Sequence, residues 1–414
     1  MEHSKNDIGI IRELAKEVAE IAALPVQEEK RALWRALNGL RPKRPMVMID
    51  QVCWNEIDFD GSLALRCENA DLRGIEDGLR RTLFQWKHFP VDMVVEPYVT
   101  VPKAISNPGY GITHSEDILA SEPNAGVVSH RYHDILKDDA DLDKITVPEV
   151  SHNAAQTARR LELASEAVGD AMPVYAMGDA LYMQLWDPIS MFKGVENALY
   201  ALADDPEFVH RMLARMMKSF TGMLDQLEEK GLLCETRLQT LIHCSGAYSD
   251  DLPASGYDAA KPRCKDLWIA GLAQMLSTVS PEMHQEFELD YVNPVFARFG
   301  LVYYGCCDPL DKKLDYVTKI PNLRKVSMSP WTNAERGAEG LGKRFVFSSK
   351  PNPSYLAGSG FCDGDVQKEL LGIKAACDRN GCPLEFILKD ISTLKHEPGR
   401  LFRWAEIAME IAQG

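Results

Sequence analysis

Leu301-Val302-Tyr303-Tyr304-Gly305-Cys306-Cys307-Asp308-Pro309 is an apolar run that empties into two adjacent thiols, an acid and a proline. Four large apolar or aromatic residues in succession read as a strand buried on both faces, and Gly305 and Pro309 mark the loop that follows. In a (β/α) barrel the strand ends carry the chemistry, and thiols placed there point to a bound metal.

Similar short apolar runs recur on both sides of it, at 46–49, 93–95, 174–177, 238–242, 325–328, 345–347 and 386–388. With 301–304 they make about eight strands, the number a closed barrel uses. Amphipathic stretches at 281–299, 311–320, 333–341, 365–380 and 400–412 separate or follow the later runs. Strand and helix in strict alternation predict a parallel sheet. The expected fold is therefore α/β, a (β/α)8 TIM barrel over 46–414 behind an N-terminal helical extension, 1–45. Residues 8–40 read as two helices broken at Pro25. The Pro-, Gly- and Asn-rich segment 104–148 reads as a long loop or lid over the C-terminal mouth, and 247–266 as a second insertion.

Composition narrows the function. A chain of 414 residues, 45% hydrophobic and 26% charged, can bury a large core. Its formal charge of -15 argues against nucleic acid or an anionic membrane as partner, since either calls for a basic face. The first thirty residues lack the order of a signal peptide, and no apolar run has the roughly 18–20 residues of a membrane helix, so a cytoplasmic enzyme is expected. The ten cysteines are too dispersed for a disulfide scaffold and are expected as reduced thiols, most of them small core fillers.

The residue just past each run is polar or ionisable nearly everywhere: Asp50, Glu96, Asp179, His243, Cys306 with Cys307, Ser329 followed by Trp331, Lys350, and Lys389 with Asp390. Such groups are rarely buried unless paired, so their recurrence at one mouth suggests a site; the plainer reading is a stabilising salt-bridge network. Zinc takes thiolate and imidazole ligands, which makes His243 with Cys306 or Cys307 the expected metal set. Neighbours on a strand point to opposite faces, so one of the two thiols is the expected ligand. For His243 the alternative is a hydrogen-bonded polar residue. His130, His133 and His152 fall in loop-rich sequence and read as surface residues; Trp86, His88 and Trp186 read as packing. Gly358-Ser359-Gly360 is too short for a phosphate loop, and no Gly-x-Ser-x-Gly elbow is present.

Three stretches, Tyr304-Gly-Cys-Cys-Asp-Pro-Leu310, Ile320-Pro-Asn-Leu-Arg-Lys-Val-Ser-Met-Ser-Pro-Trp331 and Ile387-Leu-Lys-Asp-Ile-Ser-Thr393, resemble the uroporphyrinogen decarboxylase superfamily, in the branch that includes corrinoid-dependent methyltransferases. The resemblance runs from about Arg44 to the C-terminus. It implies a TIM barrel with its site at the C-terminal mouth, and pairing into a homodimer is common among such barrels. It also implies a zinc-dependent methyltransferase moving a methyl group between a small O-, N- or S-methyl compound or thiol and a corrinoid carried by a partner protein. Zinc in that branch is held by a His-x-Cys pair and a later Cys. Here Cys306 fills the Cys position, Tyr304 stands where His is expected, and the later Cys would fall near Lys389 and Asp390, where no thiol occurs. A variant ligand set is therefore expected, with His243, Cys307 or Asp308, and Glu96 or Asp390 as an oxygen ligand. Asp179, Asp390 and Lys389 are the expected catalytic residues, and Asp50, Glu96, Trp331 and Lys350 the expected substrate-binding ones. The superfamily's decarboxylases grip propionates with an arginine-bearing segment after Arg-Pro-Pro. Asp50 stands in that region here, which places porphyrinogen decarboxylation second. A barrel that binds a corrinoid or small ligand without chemistry is the third reading.

Overall fold

A computed structural model describes residues 5–119 and 128–414. Seven strands form one parallel sheet: β1 (Met46–Ile49), β2 (Tyr182–Met183), β3 (Trp268–Gly271), β4 (Leu301–Tyr304), β5 (Leu323–Met328), β6 (Val346–Ser349) and β7 (Leu384–Leu388). From β2 to β7 each strand lies beside the next in the chain, and the last pairs with the first, Met46 opposite Glu385 through Ile49 opposite Leu388. Sequential order with first beside last is the arrangement of a TIM-barrel-like fold; a doubly wound sheet would reverse direction midway. Among the described residues no strand pairing joins β1 to β2, so the ring is not seen to close.

The sequence-based strands differ from these in five places, one of them β2, whose two residues carry no strand signal. Residues 93–95 form no strand, although the Asp92 amide bonds the Val47 carbonyl (2.9 Å) beside β1. Val174–Met177 is a strand, but it pairs with Val99–Pro102 in a separate parallel pair. The expected 238–242 strand is instead a 3-10 turn followed by a short antiparallel hairpin, Leu241–Ile242 against Ser245–Gly246. Finally, β3 is not evident in the sequence because Trp268-Ile-Ala-Gly271 is a short run that ends in Ala and Gly, residues depleted in strands. The 104–148 segment carries its own short strands, Glu116–Leu119 against Ser129–Tyr132; its residues 120–127 lie outside those described.

Strand residues of one parity, among them Val302, Val326, Phe347, Phe386 and Leu388, pack outward into the main core. The other parity faces the barrel interior and is partly polar: Lys325, Ser327, Ser348 and Glu385 are all buried. The hairpin makes this tolerable by placing Ser245 and Gly246 among them. Lys325 Nζ lies 2.7 Å from Glu385 Oε2 and 2.6 Å from Ser245 Oγ, and the Ser245 hydroxyl donates to Glu385 at 2.9 Å. Trp34, from the helix Pro25–Asn38, and Trp268 flank the ammonium at 5.3 and 5.9 Å. The N-terminal helices are thus tied to the barrel, as Arg44 also shows by its bidentate pair with buried Asp92 (2.6 and 2.8 Å).

Gly246 is where this packing is tightest: a Cβ there would lie 2.5–2.9 Å from three ring atoms of Trp34. Gly246→Ala is expected to lower the unfolding free energy by about 1–3 kcal/mol through overpacking, read as a lower urea midpoint. An unchanged midpoint would show that Trp34 yields freely. Among the described residues no helix is long and apolar enough to cross a membrane.

Candidate active site at the strand ends

Just past β4, Gly305 takes a left-handed conformation (φ +98) that resets the strand's alternation. Within β4 itself the regular alternation points Tyr303 into the barrel and Tyr304 outward, the Tyr304 hydroxyl 2.7 Å from His284 Nε2. Tyr304 thus does not share a ligand set with Cys306. Cys306 is buried, with its sulfur 3.5 Å from Cys307 Sγ and 3.0 Å from Lys389 Nζ. Lys389 and Asp390 leave the end of β7; the ammonium lies 2.9 Å from Asp390 Oδ2 and 3.6 Å from Cys307 Sγ, and Cys307 lies 3.4 Å from the same carboxylate.

His243 reaches this cluster from inside the barrel, at the tip of the hairpin. Both tip residues, His243 (φ +43) and Cys244 (φ +68), have left-handed backbones without being glycine, as a two-residue hairpin loop requires. Such conformations cost energy and persist where surrounding structure imposes them, often at functional sites. The imidazole Nδ1 is hydrogen-bonded to the Tyr182 hydroxyl, the ring packs against Tyr182 and Tyr303, and Nε2 is buried without a partner.

The electrostatics favour a thiolate. The hydrogen bond from Cys307 holds Cys306 far below the usual thiol range; burial opposes this, and His243 and Lys389 reinforce it. Cys307 is pushed up in turn, because its proton serves the neighbouring sulfur. Burial disfavours charge on Lys389, yet Cys306 and Asp390 raise it above the usual lysine range. Burial lowers Lys350 to about 8; its ammonium donates to Tyr303 and to Ser348 Oγ (2.8 Å).

The fold thus gathers Cys306, Cys307, His243, Lys389 and Asp390, with Lys350 and Tyr303 beneath them. Asp50 lies against Cys244, whose thiol is raised by burial and then by that carboxylate. Three expected site residues have other surroundings. Asp179 bridges Leu233 and neighbours Lys103 and Cys234. Glu96 pairs with Arg31 (3.2 Å) and Tyr248 (2.5 Å) beside a separate cavity that Trp34 also lines. Trp331 is 74% exposed.

Sequence reasoning missed Tyr182 and Asp187. A two-residue strand carries no periodic signal, and an acid inside Trp186-Asp187-Pro188 looks like the start of any helix. Both residues line a cavity of about 260 Å³, together with Asn107 and Tyr110 from the 104–148 excursion and Phe220 and Met223 from the helix Pro206–Glu229. The excursion therefore does flank the site. Burial raises the Asp187 carboxyl; a Gln274 hydrogen bond opposes this and the charge of Cys306 adds to it, so Asp187 lies within electrostatic reach of the sulfur.

As folded, this donor set does not fit zinc. Among the described residues no group of three or more His, Cys, Asp and Glu side chains is arranged to hold a metal ion. The reason is visible at the centre of the cluster, where the Lys389 ammonium already bonds Cys306 and Asp390. A zinc ion there would have to displace it.

The site is thus a cation-paired thiol at the C-terminal end of a parallel strand–helix sheet. No family model matches the chain, and no curated protein matches its sequence. Among solved structures, a methyltransferase from Methanosarcina mazei is similar over 92% of this chain and 97% of its own, with a TM-score of 0.51 and 13% identity. At that identity the likeness establishes a shared fold.

Proposed function

We propose that the protein is a methyltransferase for a small methylated compound, with the Cys306 sulfur as the group that receives the methyl. The observation that carries this reading is the buried Cys306 sulfur 3.0 Å from the Lys389 ammonium, which favours a nucleophilic thiolate at neutral pH. The likeness in fold to a methyltransferase supports it. The methyl donor would sit in the cavity beside Tyr182 and Asp187. For the second acceptor we retain the corrinoid of a partner protein, as the sequence resemblance implies.

The test is to incubate the protein with methanol, methylamine, methoxybenzene or trimethylsulfonium and locate added mass by peptide mass spectrometry. One methylene added at Cys306 is expected, and Cys306→Ser should reduce turnover by at least about 10³-fold. Methylation elsewhere, or undiminished turnover in the variant, rejects the assignment. A second reading, decarboxylation of a small carboxylate, is favoured by one observation: buried Lys350 and Lys389 bring two ammonium groups to the same cluster. Release of CO2 from a carboxylated substrate without any acceptor would favour it.

A further inference from the structure

The charges that line the cavities of this molecule are mostly spoken for. In the cavity of about 390 Å³ beneath the N-terminal helices, Arg31 pairs with Glu96 and Arg237 with Glu235. The cavity of about 260 Å³ past β2 differs, because Asp187 is the one charged side chain on its wall, among Tyr110, Tyr182, Phe220 and Met223. No lysine, arginine or histidine acts on the Asp187 carboxylate; its hydrogen bond comes from neutral Gln274, and the other charge it feels is that of Cys306. Three neutral polar groups of the wall are already committed. The Asn107 amide donates to the Met223 sulfur (2.8 Å), the Ser219 hydroxyl to the Thr146 carbonyl (2.7 Å), and the Tyr182 hydroxyl is bonded to His243.

This wall belongs to the same face as the thiol. β2 and β4 lie on either side of β3, with Met183 and Tyr304 both level with Gly271, so two strand spacings, about 10 Å, separate their ends. Asp187 is in the helix that follows β2, and Cys306 is in the loop that follows β4. Tyr182 spans the interval: its ring lines the cavity and stacks on His243, with ring centroids 5.3 Å apart.

A half-buried carboxylate without a counter-ion is costly, and a cation entering the cavity relieves that cost. Aromatic rings and a polarisable thioether favour a methylated onium ion in particular, because it carries positive charge and has no N–H or O–H to satisfy. The volume lies just below the roughly 300–1,000 Å³ of sites for drug-sized ligands, which suits a small ion. We infer that the methyl donor is a small quaternary ammonium or tertiary sulfonium ion, held among Tyr110, Tyr182 and Phe220 with Asp187 as its counter-ion. The inference names the substrate class of the methyl-transfer reading and rests on that reading. The Cys306 thiolate attacks one methyl carbon, forming an S–C bond as the bond from that carbon to nitrogen or to the onium sulfur breaks. The electron pair of the broken bond stays on the heteroatom, which leaves as a neutral amine or thioether. The charges of thiolate and onium cancel, and no proton moves.

The experiment has a binding arm and a transfer arm, both on the full chain. Calorimetric titration compares tetramethylammonium with tert-butanol, an uncharged molecule of similar shape. The ion is expected to bind at least about 10-fold more tightly, and Asp187→Asn, which keeps the shape of the side chain, should weaken it by about 10-fold and leave tert-butanol unchanged. The wild-type comparison stands whether or not the variant folds. In single-turnover reactions followed by peptide mass spectrometry, trimethylsulfonium and tetramethylammonium should methylate Cys306, and methanol and methoxybenzene should not. Equal affinities for ion and alcohol, a tetramethylammonium affinity untouched by Asp187→Asn, or methylation by methanol or methoxybenzene at the rate of the onium donors overturns the onium assignment and leaves methyl transfer standing. The expected binding pattern without methylation of Cys306 by any donor rejects the methyl-transfer reading and leaves a cation site.

Discussion

Replacing Lys325 with methionine is expected to lower the unfolding free energy by about 3–5 kcal/mol, because it strands a buried charge. Lys325 and Glu385 are both 0% exposed with Nζ 2.7 Å from Oε2, and Glu385 Oε1 is buried without a hydrogen-bond partner. The methionine keeps the bulk between Trp34 and Trp268 but leaves the Glu385 carboxylate facing hydrocarbon, with Ser245 as its remaining donor. A double variant, Lys325→Met with Glu385→Gln, removes both charges and should recover all but about 1–2 kcal/mol, since exchanging a whole buried pair is often close to neutral. Urea unfolding of the three proteins with a common m-value provides the measurement. Equal losses in the single and double variants would mean that the cost lies in packing around the hairpin.

Lys389→Met is expected to have the largest effect on chemistry. With the ammonium gone, burial raises the Cys306 thiol, opposed by the Cys307 hydrogen bond and His243 that remain. Methyl transfer at pH 7 should fall by about 10²–10³-fold, the scale of losing one charge-stabilising contact in a closed site, and should recover partly as pH rises. The pH at which Cys306 becomes alkylated by iodoacetamide reports the shift directly. The sign for stability follows from the same ion pair. A thiol held below its unfolded value of about 8.5 contributes stability that is fully present above that pH and is lost as pH falls through the depressed folded value. In Lys389→Met that acid-side loss should shrink. The variant also frees Cys306, Cys307 and Asp390 beside His243, so it should copurify with more zinc than the wild type. Equal alkylation profiles and equal metal content would show that Lys389 does not occupy the centre of the donor set.

Much of the site was legible because it sits where strands end. Cys306, Cys307, Lys389, Asp390 and Lys350 follow apolar runs whose limits are local, and parallel strands side by side bring their C-terminal ends to one face. His243 was also a candidate, but for a different reason from the one that places it. The sequence places it at a strand end, whereas it caps a hairpin inserted among the strands. Tyr182 and Asp187 gave no usable signal. Tyr182 lies on a two-residue strand, and Asp187 opens a short helix. The role of Lys389 was likewise hidden. Lysine beside a thiol is compatible with either a metal site or an ion pair, and a distance decides between them.

By itself, the sequence determined the alternation of strand and helix, the two helices ahead of the barrel, and the thiols, lysines and acids at the strand ends. These are properties of a residue and its near neighbours: apolar period, turn formers and caps. The tertiary structure alone decided which face of each strand is the interior, that a hairpin supplies the polar partners for Lys325 and Glu385, and that an ammonium pairs with the Cys306 sulfur. Those outcomes depend on burial and on charges brought together from positions 60 to 140 residues apart, as between Lys325 and Glu385 or Ser245 and Glu385. The energy of a buried charge is set by what lies within a few ångströms of it, and local sequence does not carry that information.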